Sequence, residues 1–220
     1  LKRQRYKNFS CILVDDISTD SSVEIVKNLI VDDSRFRLVQ NEKKKYALNN
    51  IVDSISLLEC ASEDVILLLD GDDWLASSKA LEALYGAYRG NTLMTYGSYV
   101  LSLTGQRGPE PSEYSDEVIK TNSFRQDQWR ASHLRTFKYK LWKHINLEDL
   151  KDENGEYYKM TYDQAIMLPL LEMASERSKF IPEVLHVYNK ENPLNVDKIK
   201  AQEQYELAQK IRNKKPYTRI

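Results

Sequence analysis

Cysteine is nearly absent from this sequence, and the two present, Cys11 and Cys60, each lie within an apolar periodic segment. That placement reads as buried small hydrophobes and excludes a disulfide framework or a cysteine metal site. Net charge is equally scarce. With 32 basic and 33 acidic residues the balance is −1, which leaves no global field to favour nucleic acid or an anionic membrane. No apolar run approaches the length of about 20 residues that spans a bilayer. Leu1-Lys2-Arg3-Gln4-Arg5 lacks the apolar region of a secretion signal. Internal repeats and low-complexity tracts are missing too. The expectation is a soluble protein of a reducing compartment, the cytoplasm. At 220 residues its core needs no staples.

The most informative stretch is Val65-Ile66-Leu67-Leu68-Leu69-Asp70-Gly71-Asp72-Asp73-Trp74. Its apolar run reads as a short strand buried on both faces, as in the centre of a parallel sheet. Carboxylates as close as Asp70, Asp72 and Asp73 repel one another unless a cation sits between them. Hard divalent ions such as Mg2+ and Mn2+ suit carboxylate oxygens and retain room for water and phosphate. In open α/β sheets, ligands bind beyond the carboxyl ends of strands, where this cluster falls. The competing reading is an acidic surface turn.

Taken in order, Phe9 to Val14 reads as a buried strand that runs into Asp15 and Asp16. Ser21 and Glu24 have capping-box spacing and open a helix through about Ile30. Arg35 to Val39 is a strand. Tyr46 to about Cys60 is helical, with Ala47, Ile51, Ile55 and Leu58 on one face. A serine-capped helix follows from about Ser78 to Tyr88, then a strand from Leu93 to Leu101. This β-α-β-α-β-α-β order predicts a mostly parallel sheet.

Beyond Ser102 the pattern loosens. Thr104 to Ser115 is a Gly- and Pro-punctuated loop, expected to be mobile. Asn122 to Lys143 is rich in aromatics and cations, and Trp129 or Trp142 could face an acceptor sugar or fill the core. Asp152 to Glu156 is a turn. Tyr162 to Ala174 is helical with a kink expected at Pro169. Lys179 to Tyr188 is a strand, and Asn195 to Lys215 a polar helix that docks on the body or leads into a further domain.

Asp15 and Asp16 follow a buried strand directly, so they either grip a base or sugar hydroxyl or cap the next helix. Two acidic loops at equivalent strand ends converge on one rim, which capping alone does not explain. Val14-Asp15-Asp16-Ile17-Ser18-Thr19-Asp20, then Asn41 through Asn50, then Leu69-Asp70-Gly71-Asp72-Asp73-Trp74-Leu75 together resemble a family 2 glycosyltransferase of the GT-A fold. Met94-Thr95-Tyr96-Gly97, Ser132 through Phe137, Met160-Thr161-Tyr162-Asp163 and Pro182-Glu183-Val184-Leu185 extend the likeness over nearly the whole chain.

The resemblance implies one domain over residues 1–220, an α/β Rossmann-like sheet flanked by helices. Residues 1–101 would form the nucleotide-sugar half, 102–194 the less regular acceptor and catalytic half, and 195–220 a helical tail. It implies a nucleotide-diphosphate sugar donor, UDP- or GDP-linked, a glycan or other hydroxyl acceptor, and Mn2+ or Mg2+. Carried over by position, Asp15 and Asp16 contact the base, and Lys45 lies against the base or phosphates. Asp70 and Asp72 form the metal and ribose motif, joined by Asp73, and His186 could complete the metal shell. Arg135 and His133 lie on the donor, with Arg135 suited to a phosphate oxygen.

Family members generally invert by single displacement, and Asp163 matches their base. Its competing reading is a carboxylate favoured by a helix N-terminus. The family's first strand and its Pro-x-Tyr-Asn-like segment have no counterpart here, which places activity without them in question. The Gln-x-x-Arg-Trp motif of processive synthases is absent, favouring single additions. A nucleotidyltransferase is the rival enzyme, although its Gly-rich loop is missing. A catalytically inactive glycan-binding module is the rival without chemistry.

Overall fold

A computed structural model describes residues 1–191 and 200–220. The first unit is β1 (Cys11–Asp15), α1 (Ser22–Ile30) and β2 (Phe36–Gln40), with β1 and β2 parallel in the register Cys11 opposite Phe36. Then follow α2 (Tyr46–Leu57), β3 (Val65–Leu68), β4 (Trp74–Leu75), α3 (Ala80–Ala87) and β5 (Met94–Leu101). The second half holds α4 (Asp116–Thr121), β6 (Arg135–Lys138), α5 (Tyr139–Trp142), α6 (Tyr162–Ala174), β7 (Ser178–Tyr188) and α7 (Ala201–Arg212).

The class is α/β as expected, but the pairing is mixed. β1 and β2 form their own two-stranded sheet, and a five-stranded sheet runs β3-β6-β5-β7-β4. β6 inserts antiparallel between β3 and β5, and β5 and β7 are parallel. β3 is therefore an end strand of that sheet, with Val65 40% exposed, and not a central strand buried on both faces. β1 is half-buried throughout, because among the described residues it pairs only with β2.

The core centres on α6, where every residue from Ala165 to Ala174 is buried. Such a helix is apolar all round because it is wrapped on all sides. Pro169 sits inside it without ending it. Several local expectations change. The Ser21–Glu24 capping box does not form: Ser21 makes no side-chain cap, and Asp20 accepts the Ser22 N–H at 2.9 Å. Serine does not cap α3 either; Gln4 Oε1 accepts the Leu81 N–H at 3.1 Å from the other end of the unit. The buried face of α2 is Leu48, Val52 and Ile55, while Ala47 is exposed. The tail docks: Ala208 and Ile211 of α7 are buried, and the part of the expected helix before residue 200 lies outside the described residues. Among the described residues no helix is long and apolar enough to cross a membrane.

Candidate active site

Sheet register builds the site. Arg135 stands opposite Leu68, two residues before Asp70, and His186 stands opposite Leu75, two residues after Asp73. The acidic turn is closed by the Asp73 N–H donating to the Asp70 carbonyl at 3.2 Å. α6 brings Tyr162 and Asp163 to the same place in its first turn.

Arg135, only 3% exposed, is the hub. Its Nη2 donates to Asp70 Oδ2 at 3.5 Å and to the Tyr162 hydroxyl at 3.2 Å, and its Nη1 lies 3.6 Å from Asp163 Oδ2. The Tyr162 hydroxyl donates to Asp70 Oδ1, closing a ring of three groups. Burial pushes the Asp70 carboxyl above the usual range, opposed by Arg135 and Tyr162. Burial also lifts Tyr162 well above its ordinary value, so it stays a neutral donor. Burial disfavours the Arg135 charge, but Tyr162, Asp70 and Asp163 outweigh it and keep the guanidinium protonated.

His133 Nδ1 lies 3.0 Å from Arg135 Nη2. Arginine only donates, so the imidazole meets it with a nitrogen that accepts, Nδ1 at 3.0 Å being nearer than Nε2 at 3.5 Å. Burial, then the charge of Arg135 and the neighbouring His186, hold its pKa well below 6.5. The ring stacks on His186 at 4.3 Å and on Tyr188 at 5.4 Å. His186 is fully buried, with Nε2 2.8 Å from Asp73 Oδ2. Asp73 Oδ1 accepts the Asn189 N–H at 2.8 Å. His186 Nδ1 is buried with no partner among the described residues.

One carboxylate oxygen and two imidazole nitrogens, from Asp73, His133 and His186, lie within 4.8 Å of one another. Mixed O and N donors of this kind suit Mn2+ better than Mg2+. The unpartnered His186 nitrogen and the half-buried Asp72 nearby agree with a divalent ion in this loop.

The remaining residues singled out in the sequence lie on the β1–β2 unit. Asp15 Oδ1 accepts the Ser18 N–H at 3.1 Å in a tight turn. Asp16 caps α2 instead of α1: its carboxylate accepts from Lys45 N at 2.8 Å, Tyr46 N at 2.9 Å and Asn41 Nδ2 at 2.8 Å. Those bonds hold it below the usual range against the upward push of burial. Lys45 pairs with Asp53 at 2.7 Å in a groove of about 340 Å³ also lined by Val14, Val39 and Asn50. Of the two tryptophans singled out, Trp142 is closed to a sugar and Trp129 is half-buried. Trp142 is buried and stacked on Phe137, and Trp129 packs against the core. Tyr162 and Asn189 were missed, although Tyr162 adjoins Asp163 in a stretch already singled out.

Residues 1–146 match the family described as Glycosyl transferase family 2. The chain belongs to glycosyltransferase family 2. An uncharacterized glycosyltransferase of Haemophilus influenzae is 38% identical over 98 residues, 44% of this chain and 37% of that protein. The GalNAc(5)-diNAcBac-PP-undecaprenol beta-1,3-glucosyltransferase of Campylobacter jejuni is 27% identical over 72% of this chain and 49% of its own length. This family 2 member thus spans between a third and a half of those two relatives. S. aureus TarS, crystallised also with UDP-GlcNAc, superposes with a TM-score of 0.61 at 14% identity, covering 94% of this chain and 35% of TarS. The mannosyltransferase PcManGT of Pyrobaculum calidifontis, in complex with GDP-Man and Mn2+, gives 0.61 at 15%, covering 98% and 59%. Both share the GT-A fold with this family 2 chain.

Proposed function

We propose that the protein is an inverting glycosyltransferase that moves a sugar from a UDP-linked donor to a hydroxyl of a glycan or similar acceptor. The observation that carries this is Arg135, within 3.5 Å of Asp70 and 3.6 Å of Asp163. It brings the acidic donor motif and a carboxylate on a different element into one cleft, which supports a base acting beside the donor. Relatives named as glycosyltransferases and neighbours bound to UDP-GlcNAc and GDP-Man support a nucleotide-sugar donor.

In this reading Asp163, 27% exposed at its side chain, accepts the proton of the acceptor hydroxyl. The freed oxygen attacks the anomeric carbon, and the bond to the diphosphate oxygen breaks with inversion. Arg135 offers that leaving group positive charge. Asp70 and Asp72 would hold Mn2+ or Mg2+, with Asp73, His133 and His186 as further donors. When bound, the ion neutralises charge on the departing diphosphate. Asp15, Asp16 and Lys45 form the side of the pocket that receives the base. The free thiols of Cys11 and Cys60 agree with a reducing, cytoplasmic setting.

The test is donor turnover with Mn2+, with product configuration read by NMR. Release of UDP with inversion supports the reading. Retention, or release of pyrophosphate from a nucleoside triphosphate plus sugar phosphate, replaces it with another enzyme. Donor binding with no turnover of any acceptor makes the fold a binding module.

A further inference from the structure

A cavity of about 530 Å³ opens between residues 151–160 and α7, and its walls include none of the residues placed in the candidate active site. Four lysines face it, Lys151, Lys159, Lys210 and Lys214, against the two carboxylates Asp152 and Glu153. Asp152 is committed to its own turn, accepting from Asn154 N at 2.9 Å and Glu156 N at 3.0 Å. Lys151, Lys159 and Lys210 reach Glu148 at 2.6 Å, Glu156 at 2.9 Å and Glu153 at 3.8 Å, on partners that are mostly exposed. Pairs of that kind contribute only about 0–1 kcal/mol each, so a stronger anion displaces them. Lys214 is set in place, donating to the Asp149 carbonyl at 2.6 Å and lying 5.1 Å from the Tyr158 ring. The remaining wall is apolar, with Tyr158 7% exposed beside Met160 and Leu207.

The position of this cavity ties it to the chemistry. Met160 precedes Thr161, whose hydroxyl donates to the Gln204 carbonyl of α7 at 3.4 Å, and Asp163 lies two residues further on. On the other side Lys159 sits 5.7 Å from the ring of Tyr46, at the start of α2. Several mobile ammonium groups favour a multiply charged oxyanion over a single carboxylate, and the apolar wall favours one that carries an organic body.

We propose that this cavity is an acceptor subsite for a phosphate ester, the phosphate held by Lys159, Lys210 and Lys214 and the organic body against Tyr158 and Leu207. The acceptor role rests on the glycosyl-transfer reading; the anion site does not. The reaction consumes the product of a class of enzymes that place a phosphate on the acceptor or its carrier.

The experiment is calorimetry of hexyl phosphate and inorganic phosphate with the protein in EDTA, which removes the metal-dependent donor site. Hexyl phosphate is expected to bind at least ten-fold tighter than inorganic phosphate and to weaken at least ten-fold in Lys159→Gln/Lys210→Gln. These side chains are 51% and 66% exposed, so the fold is retained. Affinity should also fall as salt is raised and be unchanged in Asp72→Asn. Equal binding of the two phosphates, indifference to the lysine changes, or loss in Asp72→Asn would each overturn the subsite. Hydrolysis of nucleotide sugars by the same protein separates the two readings. If donors are never turned over, the acceptor role falls; if they are and the lysine variant binds hexyl phosphate normally, the subsite alone falls.

Discussion

Replacing Arg125 by Met is expected to destabilise the protein by about 3–5 kcal/mol, the range for breaking one side of a buried ion pair. Arg125 is 4% exposed and Glu172 fully buried. Their side chains meet through two hydrogen bonds, Nε to Oε1 at 2.5 Å and Nη2 to Oε2 at 3.0 Å. A third donor, Nη1, reaches the Ile211 carbonyl on α7 at 2.5 Å. In Arg125→Met the carboxylate keeps only the Tyr217 N–H at 2.9 Å. Burial already raises the Glu172 pKa, so in the variant proton uptake limits the penalty. With a urea m-value of about 2 kcal/mol/M, the midpoint should fall by about 1.5–2.5 M. Arg125→Met/Glu172→Leu should recover most of that, since a buried pair replaced by apolar groups is often neutral. A loss below about 1 kcal/mol in the single variant, or a double variant as unstable as the two singles added, would refute this account of how α7 is fastened to α6.

Three other outcomes are expected. Asp163→Asn should lower turnover by about 10²–10⁴-fold with donor affinity little changed; near-normal kcat by a coupled UDP-release assay removes Asp163 as the base. Asp72→Ala should weaken Mn2+-dependent UDP binding, whereas Asp73→Ala should lower Tm, because it removes the 2.8 Å partner of the buried His186 Nε2 at a cost of about 1–3 kcal/mol; calorimetry beside thermal melts checks both. Glu63 is held down to about 2 by its hydrogen bonds from Lys138 and Lys140. Its folded pKa is depressed, so its contribution is present above the ordinary value of 4.5 and lost as pH falls through about 2. The stability gap between wild type and Glu63→Gln should close over that window, and a gap that persists at the lowest pH contradicts the assignment.

What the sequence disclosed was local, and what it hid was long-range. The acidic turn stands out because its chemistry is contained in a few consecutive residues, whereas Asp163 is marked only by the family resemblance. The apolar spacing of Tyr162–Ala174 likewise marked the central helix to the residue. The position of β6 was not legible. A short Arg-Thr-Phe-Lys segment after an irregular stretch carries no sign that it pairs antiparallel with β3 and β5, yet that pairing puts Arg135 beside Asp70. The helices start close to where they were expected, but the capping side chains differ for the same reason. Ser21 and the serines before α3 were sound local candidates, but Asp16 caps α2 from 29 residues away and Gln4 reaches α3 across 77. Tyr162 reads as an ordinary helix aromatic until its hydroxyl is seen between Asp70 and Arg135.

Arg135 is shared by Asp70 and Asp163, which the proposed reading gives to different substrates, and this couples their charge states. Each contact is on the order of 4 kcal/mol of Coulomb attraction at an effective dielectric of about 20. A cation bound at Asp70 cancels that carboxylate's repulsion of Asp163, while the guanidinium 3.6 Å away keeps its attraction. Thermodynamic reciprocity then requires that occupancy at Asp163 alter affinity at Asp70 by the same factor. With one fixed cation between them, the two carboxylates report to each other without any movement of the backbone.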